Sequence, residues 1–150
     1  MIEYRLVNPS EWMPSIRALL DANWGETGFG FALNPSYDMY QHLVDSGVMF
    51  VVGAIEDGEM VGYCTMIVSR CLHNPDIIMS ASDALFVRKE KRGVIAGRLM
   101  RAAEREAIGR GAAHVVWRAR HGTSFADVLA RHGYTPADIG MMKELKNGHH

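Results

Sequence analysis

The chain has 150 residues, of which 48% are hydrophobic and 22% charged, and its net charge is −1. A chain of this length forms one domain that buries roughly 70% of its unfolded surface, and its charge balance supplies no global field for nucleic acid or an anionic membrane. No apolar run approaches the ~18 residues of a membrane helix, and Met1-Ile2-Glu3-Tyr4-Arg5 lacks the apolar centre of a signal peptide, so a cytoplasmic location is expected.

Ile2, Tyr4 and Leu6 alternate with Glu3 and Arg5, the period of a first strand. Asn8-Pro9-Ser10 interrupts it, and Ser10 is placed to cap a helix carrying Trp12, Ile16, Leu19 and Leu20 at helical spacing. Residues 23–36 read as a long loop rich in glycine and aromatics. A second helix is expected with Asn34 as cap, Pro35 in its first position and Gly47 at its end. Val48 to Ile55 and Met60 to Ser69 follow as strands, joined at Asp57-Gly58, a strong hairpin signal.

Cys71 to Asp76 turns the chain into a strand over Ile77 to Val87, and a helix of about 95–109 follows, closed by Gly109 and Gly111. Ala113 to Ala119 reads as a short strand centred on Val115, Val116 and Trp117. Thr123 or Ser124 caps a helix with Phe125, Val128 and Leu129 that stops at Gly133, and Ile139 to Leu145 supplies a last strand. The two cysteines, Cys64 and Cys71, read as reduced structural thiols and not as a disulfide or a metal pair, and no metal site is expected. His149 and His150 look like the start of a purification tag. The expected organisation is therefore one domain over 1–146 and a tail over 147–150.

The run from Ala81 to Met100 carries the chemistry. An apolar strand ends at the basic loop Arg88-Lys89-Glu90-Lys91-Arg92-Gly93, and a helix begins at once, which points backbone N–H groups and a helix dipole at one place. Lys89, Lys91, Arg92 and Arg98 add charge within reach of a phosphate. The bland reading of the same residues is a solvated charged turn. Neither G-x-G-x-x-G nor G-x-x-x-x-G-K-[ST] occurs, which argues against a dinucleotide fold and a P-loop NTPase.

This stretch resembles the acyl-CoA loop of the GNAT N-acetyltransferase superfamily, V-x-P-x-x-[RQ]-G-x-G-x-[GA]. Val87, Arg92, Gly93 and Gly97 fall on the pattern; Lys89 replaces its proline and Ile95 its central glycine. Ala130-Arg131-His132-Gly133-Tyr134 looks like the family's closing Y-x-K-x-G-F segment, and small GNAT-like proteins that this chain resembles occur in phage genomes. The resemblance implies an α/β fold, a central mixed sheet of 6–7 strands flanked by about four helices in the order β-α-α-β-β-β-α-β-α-β. It also implies acetyl-CoA as co-substrate, with its pantetheine arm along Leu85, Phe86 and Val87 and its diphosphate held from Arg92 through Gly93, Val94, Ile95, Ala96 and Gly97 to Arg98. If Ile95 takes the glycine's positive φ, the loop is strained by about 1–3 kcal/mol.

Acetyl transfer to an amine requires a base, a polarised carbonyl and a proton for the departing thiolate. Asp83 stands in an apolar strand and by alternation shares a face with Met79, Ala81, Leu85 and Val87, surroundings that raise a carboxylate's pKa and suit a base. The alternative is an Asp paired across strands or facing solvent. The tyrosine that the family commonly uses as acid, four residues before the closing glycine, is Leu129 here, which leaves Tyr134, Ser124 and His121 as substitutes. Trp12, Trp24, Phe29, Phe31, Tyr37 and Tyr40, with Asp21, Glu26 and Asp38, suit recognition of a cationic amine, although aromatics at such positions are also ordinary core or lid residues.

Three functions compete. The first is N-acetylation of a small-molecule or peptide amine by direct transfer in a ternary complex. The second is a GNAT-like CoA-binding or regulatory module with little turnover, favoured by Leu129 and Ile95. The third is a partner-binding protein without CoA. Pairing of the last strands would give a homodimer.

Overall fold

The computed structural model describes residues 1–12, 15–27 and 30–145, the side chains of Trp12 and Ser15 excepted. Gly28 and Phe29 of the expected acceptor loop, and the expected tail, lie outside the described residues. The chain forms two compact units, Met1–Trp117 and Arg118–His150.

The first unit is built on five strands in spatial order β1 to β5: β1 (Ile2–Leu6), β2 (Met49–Glu56), β3 (Glu59–Cys71), β4 (Asn74–Val87) and β5 (Ala112–Val116). The first four pair antiparallel and β5 joins β4 in parallel, as a strand arriving by a helical crossover does. Helices α1 (Pro9–Trp12), α2 (Ser15–Trp24) and α3 (Tyr37–Asp45) lie between β1 and β2, and α4 (Val94–Gly109) makes the crossover. The expected 6–7 strands are five among the described residues.

Successive residues of β3 point to opposite faces, and both faces are covered. Tyr63 packs in a cluster with Ile16, Leu19, Leu20, Met49, Val51 and Phe86, under α2 and α3. On the other face α4 lays down Ile95, Leu99, Ala103 and Ala107, four apart and all buried. Gly62 lets α4 close on the sheet: a Cβ there would stand 3.2 Å from Leu99 Cδ1 and 3.0 Å from the Phe86 carbonyl. This two-sided burial gives β2 and β3 their near-continuous apolar runs.

Several boundaries differ from the sequence reading, each for a local reason. The second helix is capped by Ser36, whose Oγ accepts from the Met39 N–H at 3.2 Å, and not by Asn34; Pro35 holds its predecessor extended, so α3 starts later. The hairpin at Asp57-Gly58 forms as expected, with φ of 52° and 80°. Ladder pairing continues past Ser69 to Cys71↔Asn74, shortening the expected 71–76 turn to two residues. Cys64 is buried, Cys71 is half-buried, and both are free thiols.

The second unit contains α5 (Phe125–Arg131), preceded by Ser124 at its cap position. The segment expected as a last strand, Ile139 to Leu145, is not one. Gly140 interrupts it, and Ile139, Met141, Met142 and Leu145 are all exposed. Apolar alternation becomes a strand only when a ladder partner is present.

Candidate active site

The sheet opens where the chemistry was expected. β5 pairs only with Ile78–Ala81 of β4, and β4 then runs on through Ser82 to Val87 with β3 on one side and no described strand on the other. Leu85, Phe86 and Val87 lie on this splayed edge, the kind of edge with which an added strand or an amide-bearing ligand pairs, although the Val87 carbonyl is already taken by Arg92 Nε.

A 3₁₀ turn over Lys89–Lys91 links that edge to Gly93, which takes φ +110° and ψ −114°, a conformation open essentially to glycine alone. Val94 begins α4, so Ile95 is already helical and its side chain is buried. The strain expected for Ile95 is therefore absent; the left-handed position is Gly93's. The N–H groups of Val94, Ile95 and Ala96 open the helix without intrahelical acceptors, and no described loop carbonyl takes them. Gly97 is helical, and an added Cβ there would come no closer than 4.0 Å to a neighbour. The geometry is that of an anion cradle at the start of a 16-residue helix.

The basic side chains are less free than the sequence suggested. Arg92 Nε donates to the Val87 carbonyl at 2.8 Å, its Nη2 reaches both oxygens of Glu26 at 2.9 and 2.7 Å, and its guanidinium lies 5.3 Å from the centre of the Phe86 ring. Arg88 pairs with Glu59 and Lys91 with Glu56, each at 2.7 Å. That pair lowers Glu56 below the ordinary carboxylate value and raises Lys91, the direct hydrogen bond being the first cause of each shift. Arg98 is exposed on α4.

Asp83 occupies a β-bulge. Thr65 pairs with Ala84 and Met66 with Ser82, which leaves Asp83 as the extra residue. The bulge breaks the expected alternation: Asp83 keeps to the face of Met79 and Ala81, while Leu85 and Val87 turn to the α4 side. The carboxylate is exposed and not enclosed among apolar side chains, and accepts a 3.3 Å hydrogen bond from Thr65 Oγ1. Around it stand groups the sequence did not single out as a set. Burial first and the Asp83 charge second hold the half-buried Tyr40 phenol above its ordinary value. Tyr63, fully buried, is raised mainly by burial, and its hydroxyl accepts from Asn23 Nδ2 at 2.9 Å. A tyrosine in the apolar centre of a strand was the available signal, because a buried hydroxyl needs a partner. Cys64 is raised by burial and then by Asp83, which keeps its thiol protonated and inert.

On the acceptor side, Trp24 donates from Nε1 to the Phe31 carbonyl at 3.1 Å, with the two rings 5.2 Å apart. Tyr37 and Tyr40 pack at 6.5 Å. The other expected proton donors belong to the second unit. Ser124 makes no side-chain cap bond, His121 stands in an exposed turn, and Tyr134 follows α5 with its N–H on the Leu129 carbonyl at 3.1 Å. Among the described residues no group of three or more His, Cys, Asp or Glu is arranged to hold a metal ion, and no helix is long and apolar enough to cross a membrane.

Comparisons with known proteins identify the class to which this fold belongs, the acyltransferases. The sequence matches the acetyltransferase (GNAT) family over residues 16–134. The chain belongs to that family: it is an acyltransferase, and its family uses acetyl-CoA. Similar solved structures include a ribosomal-protein-alanine N-acetyltransferase from Brucella melitensis biovar Abortus 2308 (18% identity, 99% of each chain, TM-score 0.78). An aminoglycoside acetyltransferase from an uncultured soil metagenomic sample, in complex with sisomicin, is similar at 18% identity over 97% of each chain with a TM-score of 0.76. A predicted acetyltransferase from Clostridium acetobutylicum, solved with acetyl-CoA, aligns over 100% of each chain at 15% identity and a TM-score of 0.72. At these identities the likeness is one of fold. A search of the curated proteins finds no significant match.

Proposed function

We propose that the chain is a cytoplasmic N-acetyltransferase that moves the acetyl group of acetyl-CoA to a primary amine of a small molecule or peptide, by direct transfer in a ternary complex. The observation that carries this reading is the splayed edge of β4 over Ser82–Val87 running directly into the helix-opening cradle at Gly93–Ala96. An extended amide-bearing arm fits along Leu85, Phe86 and Val87, and a diphosphate fits the free N–H groups with Arg92, Gly97 and Arg98 beside them.

Acetyl-CoA supplies the activated acyl thioester. The chain's own residues bind it, orient it and manage two protons. Asp83, exposed at the bulge, accepts a proton from the incoming ammonium directly or through water, so that the neutral nitrogen can attack. The departing sulfur needs a proton. Tyr40, protonated at neutral pH and under the influence of Asp83, is a candidate donor in addition to Tyr134, Ser124 and His121. A thiol's pKa near 8.5 also makes unassisted departure feasible. Glu26, Asp38, Tyr37 and Tyr40 supply carboxylates and ring faces suited to a cationic acceptor.

Leu129, at the place of the family's acid, favours a second reading: a CoA-binding module with little turnover. Two measurements separate the readings. The first reading expects acetyl-CoA to raise the melting temperature and a panel of primary amines to release free thiol; protection without thiol release supports the second. No protection at millimolar acetyl-CoA would sink both.

A further inference from the structure

Resting on the acetyl-CoA reading above, we propose that Glu26 is an internal competitor for the cofactor's diphosphate: it occupies Arg92 until the anion arrives and so sets how tightly the cofactor binds. Arg92 stands next to Gly93, where the cradle begins. Its guanidinium is nevertheless turned across the Phe86 ring to a carboxylate 66 residues away in sequence, held by Nη2 contacts of 2.9 and 2.7 Å. Both Glu26 oxygens converge on the one Nη2, a charge-assisted contact for which a phosphate oxygen would compete directly. Glu26 is less exposed than its partner, with side-chain exposures of 30% and 41%, and its link joins α2's turn to the cofactor loop. The loop's other pairs, Arg88 with Glu59 and Lys91 with Glu56, tie it only to the adjacent hairpin.

A diphosphate seated on the N–H groups of Val94 to Ala96 places negative charge beside Arg92. Glu26 must then give up or share the guanidinium. Its backbone N–H is fixed to the Asn23 carbonyl at 2.9 Å, and Asn23 in turn holds the Tyr63 hydroxyl, so the released carboxylate stays on the acceptor side of the cleft. Cofactor binding thereby adds a carboxylate where a cationic amine is received. Glu26 is a positioning residue, acting through Arg92.

The test is calorimetric titration of CoA into the wild type, Glu26→Gln and Glu26→Asp, with folding checked by circular dichroism. Competition predicts that Glu26→Gln binds CoA about three- to fivefold tighter than wild type, the range expected for losing a half-exposed ion pair, while Glu26→Asp stays near wild type. A merely structural prop predicts the opposite sign; equal or weaker binding by Glu26→Gln overturns the proposal. Wild-type protein that binds no CoA at millimolar concentration fails the acetyl-CoA reading itself, a different result from an unchanged ratio. A second measurement needs no variant at residue 26. The guanidinium ¹⁵N–¹H resonances of Arg92, assigned with Arg92→Lys, shift on saturation with CoA if Glu26 is displaced, and unmoved resonances overturn the exchange.

Discussion

Asp83 shows how one inserted residue changes what a side chain can do. Regular alternation would seat it with Leu85 and Val87; the bulge between Thr65 and Met66 turns it instead to solvent, on the face of Tyr40 and Tyr63. Asp83→Asn is expected to lower kcat by roughly 10²- to 10⁴-fold, the usual worth of a general base, while leaving the CoA dissociation constant within about twofold. Steady-state kinetics and calorimetry on one preparation check both halves. Tyr63→Phe removes the acceptor of the Asn23 amide in a buried place. A loss of about 1 kcal/mol in denaturant unfolding is expected. Asp83 was legible as a polar residue in an apolar strand, and the alternative of a cross-strand partner and solvent exposure is the one found; the bulge itself was not legible, because it is a property of strand pairing.

The loop from Arg88 to Gly93 is the element whose sequence and geometry agree best in outline and differ most in detail. The glycine that needs left-handed backbone is Gly93, and a β-branched Ile95 causes no strain because the helix has already begun. Gly93→Ala is therefore expected to cost about 1–3 kcal/mol of stability and to weaken CoA binding, measured by melting and titration; unchanged values would mean the loop adapts. Gly62→Ala tests a different element, the closure of α4 on β3. Its Cβ would crowd the Phe86 carbonyl, Val87 and Leu99, and overpacking of about 1–3 kcal/mol is expected with little effect on the cradle. Helix and strand positions followed from periodicity and turn residues, whereas the Ser36 cap and the two-residue turn between β3 and β4 depended on which hydrogen bonds the assembled chain completes.

For the molecule as a whole, ligand linkage and pH give two further expectations. Acetyl-CoA at about 100 times its dissociation constant stabilises the folded state by about 2.7 kcal/mol, which for a chain of this size raises Tm by roughly 5–10 °C. Glu11 and Glu56 are held below the ordinary carboxylate value of 4.5, chiefly by hydrogen bonds from Arg5 and Lys91. Their contribution is present above that value and is lost as pH falls through the lowered values of the folded state. Lys91, raised by the same contact, loses its part at the alkaline end, as pH rises through its own raised value. Melting temperature should thus fall on acidification below about pH 4.5, and Glu56→Gln should flatten part of that fall. Because these pairs are exposed, the change is modest and weakens in high salt.

By itself the sequence determined an α/β chain of the GNAT kind, the strand–loop–helix at 81–109, the Asp57-Gly58 hairpin and the identity of the charged residues near the loop. These are local matters of period, turn chemistry and motif spacing. Only the tertiary structure decided that the sheet has five described strands, that β4 parts from β5 after Ala81, that Asp83 is bulged outward, and that Arg92 is held by Glu26. Each of these depends on partners distant in sequence, and neither strand pairing nor a contact across 66 residues is encoded in the local pattern of either segment.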